Sequence, residues 1–278
     1  MNLYVMLALR RPVAPNPILV ETFRILRRRG CTIELGTGAE FLLQLDRLAL
    51  AHDLYILKSH AALWLSLAEI VHAHGGRLLN PFPGCLAVQN KIVAVERMRA
   101  AGIPTPRSWV TSDPKLLRSI VEKRPVIIKP YNGGRGIGVV VARDPHELAK
   151  APPRPDPVLI QEYIRHGQEL KVYVIGEEVF GMSARPGSRD GRRRPCPITP
   201  EVREVALRCG RVFELGLYGV DVMETCDGPM VIDLNYFPSY QGMPYAPALI
   251  AEFIENYALG GACGGVRDAI GSIDGAVA

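Results

Sequence analysis

Residues 218–238 read YGVDVMETCDGPMVIDLNYFP. Two β-like runs flank the turn-forming triplet Cys226-Asp227-Gly228. With that triplet as a three-residue loop and Gly228 in the left-handed conformation, Thr225 faces Pro229 and Asp221 falls opposite Asp233. Directly opposed residues on antiparallel strands share a face, with Cβ atoms about 5 Å apart. Asn235 joins that face two residues on. Val220, Val222, Ile232 and Leu234 fall on the other face and call for a core. Two carboxylates so close repel unless a cation lies between them. Oxygen donors of this kind suit Mg²⁺, its shell completed by substrate phosphates and water. A two-residue loop would instead send the aspartates to opposite faces. An exposed acidic hairpin is the plainer alternative.

Upstream, residues 126–142 read VIIKPYNGGRGIGVVVA. Both flanking runs are too short for helices, so Gly133, Gly134, Gly136 and Gly138 fall at a strand-to-strand turn. That excludes the phosphate loops in which glycines open a helix. Glycines here free backbone N–H groups to approach an anion closely, and Lys129 ends the incoming strand beside them. A flexible hairpin tip is the alternative. The segment IQEYI, 160–164, is a β run broken by a polar pair. Such a segment either presents backbone groups to an adenine edge or is an ordinary strand. Lys171 heads a strand just after His166-Gly167. Arg185, Arg189, Arg192, Arg193 and Arg194 then follow in a Gly/Pro-rich stretch. Arginine favours bidentate phosphate or carboxylate contacts, so this stretch is either a solvated surface or a clamp for an anionic substrate. No aromatic residue interleaves with it, which argues against nucleic acid.

The 278 residues suit roughly two domains, and 48% hydrophobic with 22% charged residues excludes a disordered or fibrous chain. A net charge of +5 permits an anionic ligand without arguing for nucleic acid. Six cysteines stand singly, with no zinc spacing, which fits reduced thiols in a cytoplasm. No stretch approaches the roughly 20 apolar residues of a membrane span. Strand-like and helix-like pieces alternate over residues 1–85 and predict a parallel α/β domain. One helix is expected over 86–103, and Pro104 and Pro106 mark a boundary. Short β-rich runs then predict antiparallel hairpins, followed by a helix over 199–215, two strands and a helix near 246–258. The expected division is 1–85, 86–165, 166–259 and a flexible, Gly-rich tail at 260–278. Oligomeric state is not legible.

The order of parts is recognisable: Asn90-Lys91 before AGIPTP, then IIKP and the glycine hairpin, QEYI, GVDVM and DLN. Over roughly residues 50–258 the chain resembles the ATP-grasp superfamily. The resemblance implies an N-terminal parallel α/β domain and two α+β subdomains enclosing ATP. It implies Lys91 and Lys129 on the nucleotide phosphates, with Gly133, Gly134 and Gly136 around them. Gln161, Glu162 and Ile164 would frame adenine, Glu169 would take a ribose hydroxyl, and Asp221, Asp233 and Asn235 would hold Mg²⁺. Within the superfamily, QEYIRHGQELKVYVIGEEV and DLNYFPSYQGMP are similar to the inositol 1,3,4-trisphosphate 5/6-kinase family. That likeness puts Lys58, His166, Lys171 and Arg185 on the substrate side, the last three in catalysis. AGIPTP and LNPFPGCLAVQNK look like the ribosomal-protein glutamate ligases. The expectation is therefore a kinase of a small anionic polyol or inositol phosphate. The alternative is a carboxylate–amine ligase acting through an acyl phosphate. A non-enzymatic ATP-binding domain ranks third.

Overall fold

The computed structural model describes residues 1–7, 16–37, 44–132, 137–150, 157–184 and 193–261. The chain begins with four parallel strands: β1 (Asn2–Met6), β2 (Thr32–Gly36), β3 (Leu54–Leu57) and β4 (Leu78–Leu79), in the order β2-β1-β3-β4. Every residue of β3 is buried, as a strand covered on both faces requires. Helices α1 (Pro17–Arg28) and α2 (Ala62–Ala73) belong to this layer. Asn16 opens α1 by accepting the Ile18 N–H at 3.0 Å, with Pro17 in the first turn.

Two helices, α3 (Phe82–Gln89) and α4 (Lys91–Ala100), replace the single helix expected over 86–103. The break is at Asn90, which is extended (φ −93°, ψ 102°) and whose Oδ1 accepts the N–H groups of Ile92 and Val93 at 3.1 and 3.3 Å. A short amide side chain offers the backbone this alternative to continuing the helix. Lys91 thereby becomes the first residue of a new helix, and its N–H bonds to the carbonyl of Tyr131 at 2.8 Å.

The next unit holds β5 (Ser108–Thr111), α5 (Arg118–Val121), β6 (Val126–Pro130), β7 (Val140–Ala142), α6 (Pro145–Ala149) and β8 (Val158–Glu162). Its sheet, β5-β8-β6-β7, is wholly antiparallel, as the hairpin reading predicts. Leu117, Val121, Val126, Ile128, Ala142, Val158 and Ile160 form a core of its own.

A third sheet contains β9 (Gln168–Ile175), β10 (Glu178–Ala184) and β11 (Arg193–Cys196). Helix α7 (Pro200–Phe213) precedes β12 (Leu217–Thr225) and β13 (Gly228–Tyr236), and α8 (Ala246–Ala258) follows. The order is β11-β10-β9-β12-β13, again antiparallel. Its core is continuous with that of the parallel sheet. Buried Asn80 joins the two: its Oδ1 accepts from Gly216 and Leu217 N–H at 2.8 and 2.9 Å, and its Nδ2 donates to the Leu217 carbonyl at 2.8 Å. The hydroxyl of Tyr257 donates to the Leu78 carbonyl at 2.9 Å across the same junction. The fold class is the expected one, a parallel α/β layer followed by two α+β units.

The β12–β13 hairpin corrects the sequence reading in one respect. Its loop is the two-residue Cys226-Asp227, with Thr225 opposite Gly228. A plain two-residue hairpin would separate the aspartates. Instead a β-bulge between the Asp221–Asp233 and Val222–Val231 pairs adds one residue, Ile232, to β13. The extra residue restores the opposition of Asp221 and Asp233. It also puts Val231, rather than Ile232, into the core with Val220, Val222 and Leu234.

Candidate functional site

The register of the third sheet sets three charged residues in a row: Lys171 on β9, Asp221 on β12 and Asp233 on β13. Lys171 Nζ donates to Asp221 Oδ2 at 2.9 Å and lies the same distance from Oδ1. Oδ1 itself is buried and accepts no hydrogen bond. Lys91, at the start of α4, reaches Asp233 Oδ1. Asn235 Nδ2 makes a long 3.4 Å contact with the other oxygen of Asp233. Lys129 enters from β6 in the neighbouring sheet. Its ammonium donates to Gln161 Oε1 at 2.7 Å and to the Ile232 carbonyl at 2.8 Å. The bulge thus serves twice: it aligns the aspartates and turns a main-chain carbonyl toward a lysine of the other sheet.

Three ammoniums therefore surround two carboxylates. The repulsion between Asp221 and Asp233 that the sequence assigns to a cation is met here by Lys171 and Lys91. Burial pushes the Asp221 carboxyl up; Lys171 opposes this, and the Asp233 charge adds to it. Burial alone would raise Asp233 too, but the charges of Lys91 and Lys129 outweigh it and hold that carboxyl below its usual range. Burial lowers Lys129, with the Asp233 charge pulling the other way.

A small gap, with room for about one water molecule, adjoins the cluster; Val88, Val95, Met98 and Leu159 line it together with Lys91, Lys129 and Asp233. The donor set, two carboxylates and a carboxamide, fits a hard divalent cation. Among the described residues no group of three or more His, Cys, Asp and Glu side chains forms a metal cage. A cation held by Asp221, Asp233 and Asn235 would draw its remaining oxygens from phosphate and water.

Of the residues singled out from sequence, the structure brings together Lys91, Lys129, Gln161, Lys171, Asp221, Asp233 and Asn235. Glu162 turns its carboxylate to Arg124 at 3.1 Å, and its N–H bonds to the Arg107 carbonyl at 2.8 Å. Ile164 is half-buried just beyond β8. Glu169 pairs with Arg193 at 3.5 Å. His166 is exposed on the connection between β8 and β9, and no contact joins it to the cluster among the described residues. Lys58 follows β3 and sits 5.3 Å over the Phe237 ring. Gly133, Gly134, Gly136, Arg185 and nearly all of the expected tail lie outside the described residues.

Sequence reasoning missed the Ile232 carbonyl. It also left Arg193, whose charge reaches Asp221, undistinguished among the arginines around it. A signal for the first exists: Met230-Val231-Ile232 puts three apolar residues in succession where one-sided burial demands alternation, a pattern that marks a bulge. Among the described residues no helix is long and apolar enough to cross a membrane.

Solved structures place this architecture in a class. A RimK domain ATP-grasp protein from Sphaerobacter thermophilus superposes with a TM-score of 0.73 at 19% identity, covering 91% of this chain and 99% of that one. D-alanine–D-alanine ligase from Bacillus anthracis gives 0.69 at 16% identity, covering 93% and 97%. The fold is the ATP-grasp fold.

Residues 88–251 match the RimK-like ATP-grasp domain, and the chain belongs to that family. A probable alpha-L-glutamate ligase 2 from Shewanella sp. (strain MR-4) is 29% identical over 208 residues, 65% of this chain and 68% of that protein. A probable alpha-L-glutamate ligase from Vibrio cholerae is 30% identical over 198 residues, 61% of this chain and 64% of that one. The chain thus spans about two thirds of the length of these relatives. Their names reverse the expected ranking: the resemblance to the inositol phosphate kinases is not supported, whereas that to the glutamate ligases is. The physical reason lies in the motifs used. The likeness rested on QEYIRHGQELKVYVIGEEV and DLNYFPSYQGMP, whose QEYI and DLN parts are also in the pattern of the whole superfamily and so carry little information about the acceptor.

Proposed function

We propose that the protein is an ATP-dependent carboxylate–amine ligase that acts through an acyl phosphate. The observation that carries this is the opposed pair Asp221 and Asp233, flanked by Lys91, Lys129 and Lys171. The family and the glutamate-ligase relatives supply the choice of ligase over kinase.

In this reading residues 86–165 and 166–259 form the two lobes around ATP. Lys91 and Lys171 leave their carboxylates for phosphate oxygens, which exchanges one charge-assisted contact for another. Lys129, held from both sheets, stays beside the chain of phosphates. Asp221, Asp233 and Asn235 would hold Mg²⁺, which when bound would neutralise phosphate charge. An oxygen of the substrate carboxylate attacks the γ-phosphorus; the new P–O bond forms as the bond to the β,γ-bridging oxygen breaks, and ADP leaves. An amine then attacks the acyl carbon, phosphate departs with the electron pair of the C–O bond, and the nitrogen gives up a proton. The arrangement is chiefly one of positioning and electrostatics.

The relatives' names point to glutamate as one substrate. The test is incubation with Mg·ATP, L-glutamate, glutamyl peptides and hydroxylamine. ADP release with a hydroxamate by mass spectrometry is the expected result. A phosphorylated polyol, formed with inositols in place of the acid and with no hydroxamate, would restore the kinase instead.

A further inference from the structure

The four-stranded sheet carries a polar row of its own. Ser108 on β5 is the direct partner of Gln161 on β8, and Gln161 is in turn opposite Ile127 on β6. Lys129 stands two residues beyond Ile127 and therefore on the same face. Ser108, Gln161 and Lys129 thus cross one face of this sheet, while Val126, Ile128 and Ile160 fill the small core on the other. The reaction as proposed gives Ser108 no part.

The hydrogen bonds along the row have a direction. A hydroxyl carries one proton, and that of Ser108 goes to the Pro106 carbonyl at 2.7 Å. Toward Gln161 the Ser108 oxygen can then only accept, and Gln161 Nε2 donates to it at 3.3 Å. This turns Gln161 Oε1 to the other side, where it accepts from the Lys129 ammonium at 2.7 Å. An amide turned end for end would set its NH₂ against an ammonium, which has no acceptor. Gln161 is only 1% exposed, so bulk water does not replace a lost partner. The Ile232 carbonyl takes a second Lys129 donor at 2.8 Å. Two fixed donors on a tetrahedral nitrogen set the direction of the third.

The row also closes a circuit through the larger body. Next to Ile232, the Val231 N–H donates to the Pro104 carbonyl at 2.8 Å. Pro104 lies two residues before Pro106, whose carbonyl holds the Ser108 hydroxyl. The segment that joins the two units is therefore tied at one end to β13 and at the other, through Ser108 and Gln161, to Lys129.

We infer that Ser108 is a positioning residue: through the Gln161 amide it aims the Lys129 ammonium at the nucleotide phosphates. The inference rests on the proposed place of those phosphates beside Lys129 and holds whatever the acceptor.

The test is calorimetric titration of Mg·AMPPNP and of adenosine into the full chain as wild type, S108T, S108V, K129M and S108V/K129M. Threonine and valine have nearly the same shape and differ in the hydroxyl. S108V is expected to bind Mg·AMPPNP on the order of 10-fold more weakly, and S108T within about 2-fold of the wild type. Adenosine, which has no phosphate, should bind S108V and S108T within about 2-fold of the wild type. K129M loses affinity for Mg·AMPPNP, and adding S108V to it lowers affinity by less than about 2-fold more, because a residue that acts through Lys129 has nothing left to act on. A purely structural role for Ser108 would weaken adenosine too and would add its full loss to that of K129M. The inference is overturned if S108V binds Mg·AMPPNP as the wild type does, if adenosine weakens equally, or if the two losses add. Weakened binding in K129M with none in S108V removes Ser108 alone. Wild-type affinity in K129M would remove the phosphates from Lys129, and the inference with them.

Discussion

The two antiparallel sheets meet at the same cluster but stand on different foundations. The five-stranded sheet shares one continuous core with the parallel layer and is tied to it by Asn80 and Tyr257. The four-stranded sheet has only its own small core. Its polar ties to the larger body within the site are Lys129, which bonds to Gln161 behind it and to the Ile232 carbonyl across the gap, and the Tyr131 carbonyl, which accepts the Lys91 N–H. The larger body therefore fixes the carboxylates, while the smaller unit brings a charge to them and is free to adjust. Enzymes that enclose a nucleotide commonly need this asymmetry.

The largest expected effect tests the fixed side. D233N removes a carboxylate that two ammoniums face, and ADP formation should fall by on the order of 10³-fold or more, with a lower melting temperature because Lys91 loses its partner. If activity survives, the carboxylate row is not the reaction site. Next comes the difference in foundations. I128A empties part of the small core at a cost of about 2–4 kcal/mol. Hydrogen exchange should then quicken in β5, β6 and β8 while β9 and β12 keep their protection; equal loss in both sheets would mean one cooperative unit.

A smaller effect comes from G219A. The added Cβ would lie 3.2 Å from Lys171 Cε and 3.1 Å from Pro238 Cγ. Displacing the Lys171 stem should lower kcat/KM by about 10-fold at a stability cost of about 1 kcal/mol. The smallest concerns thiols. Burial raises the Cys209 thiol to about 12, so at pH 8 it stays protonated and enclosed, whereas Cys226 is exposed on the β12–β13 turn. Peptide mapping after iodoacetamide at pH 8 should find Cys226 modified and Cys209 intact. Equal labelling would show that the larger body opens readily.

Much of this contrast is legible in the letters. The shift from alternating strand and helix pieces to short β runs past Pro104 marks the change from parallel to antiparallel construction. Asp221 and Asp233 are found as partners through their alternation with core valines. The loop between them is misjudged because two small departures, a shorter turn and a bulge, compensate. Helix periodicity continues through Asn90, so the break there depends on a side-chain cap that pattern alone does not register. The pairing of Glu162 with Arg124 and the approach of Lys58 to Phe237 join residues distant in sequence, which no local pattern encodes. Acceptor chemistry is least legible, since the recognisable motifs are those of the whole superfamily.

In the proposed reaction Asp221, Asp233 and Asn235 hold a divalent cation against phosphates steadied by Lys91, Lys129 and Lys171. Calorimetric titration of AMPPNP with and without Mg²⁺, in the wild type and in D221N, tests it most directly. The account predicts at least about 10-fold tighter binding with Mg²⁺ in the wild type and little gain in D221N. Equal affinity with and without Mg²⁺ in the wild type, or an undiminished gain in D221N, would contradict it.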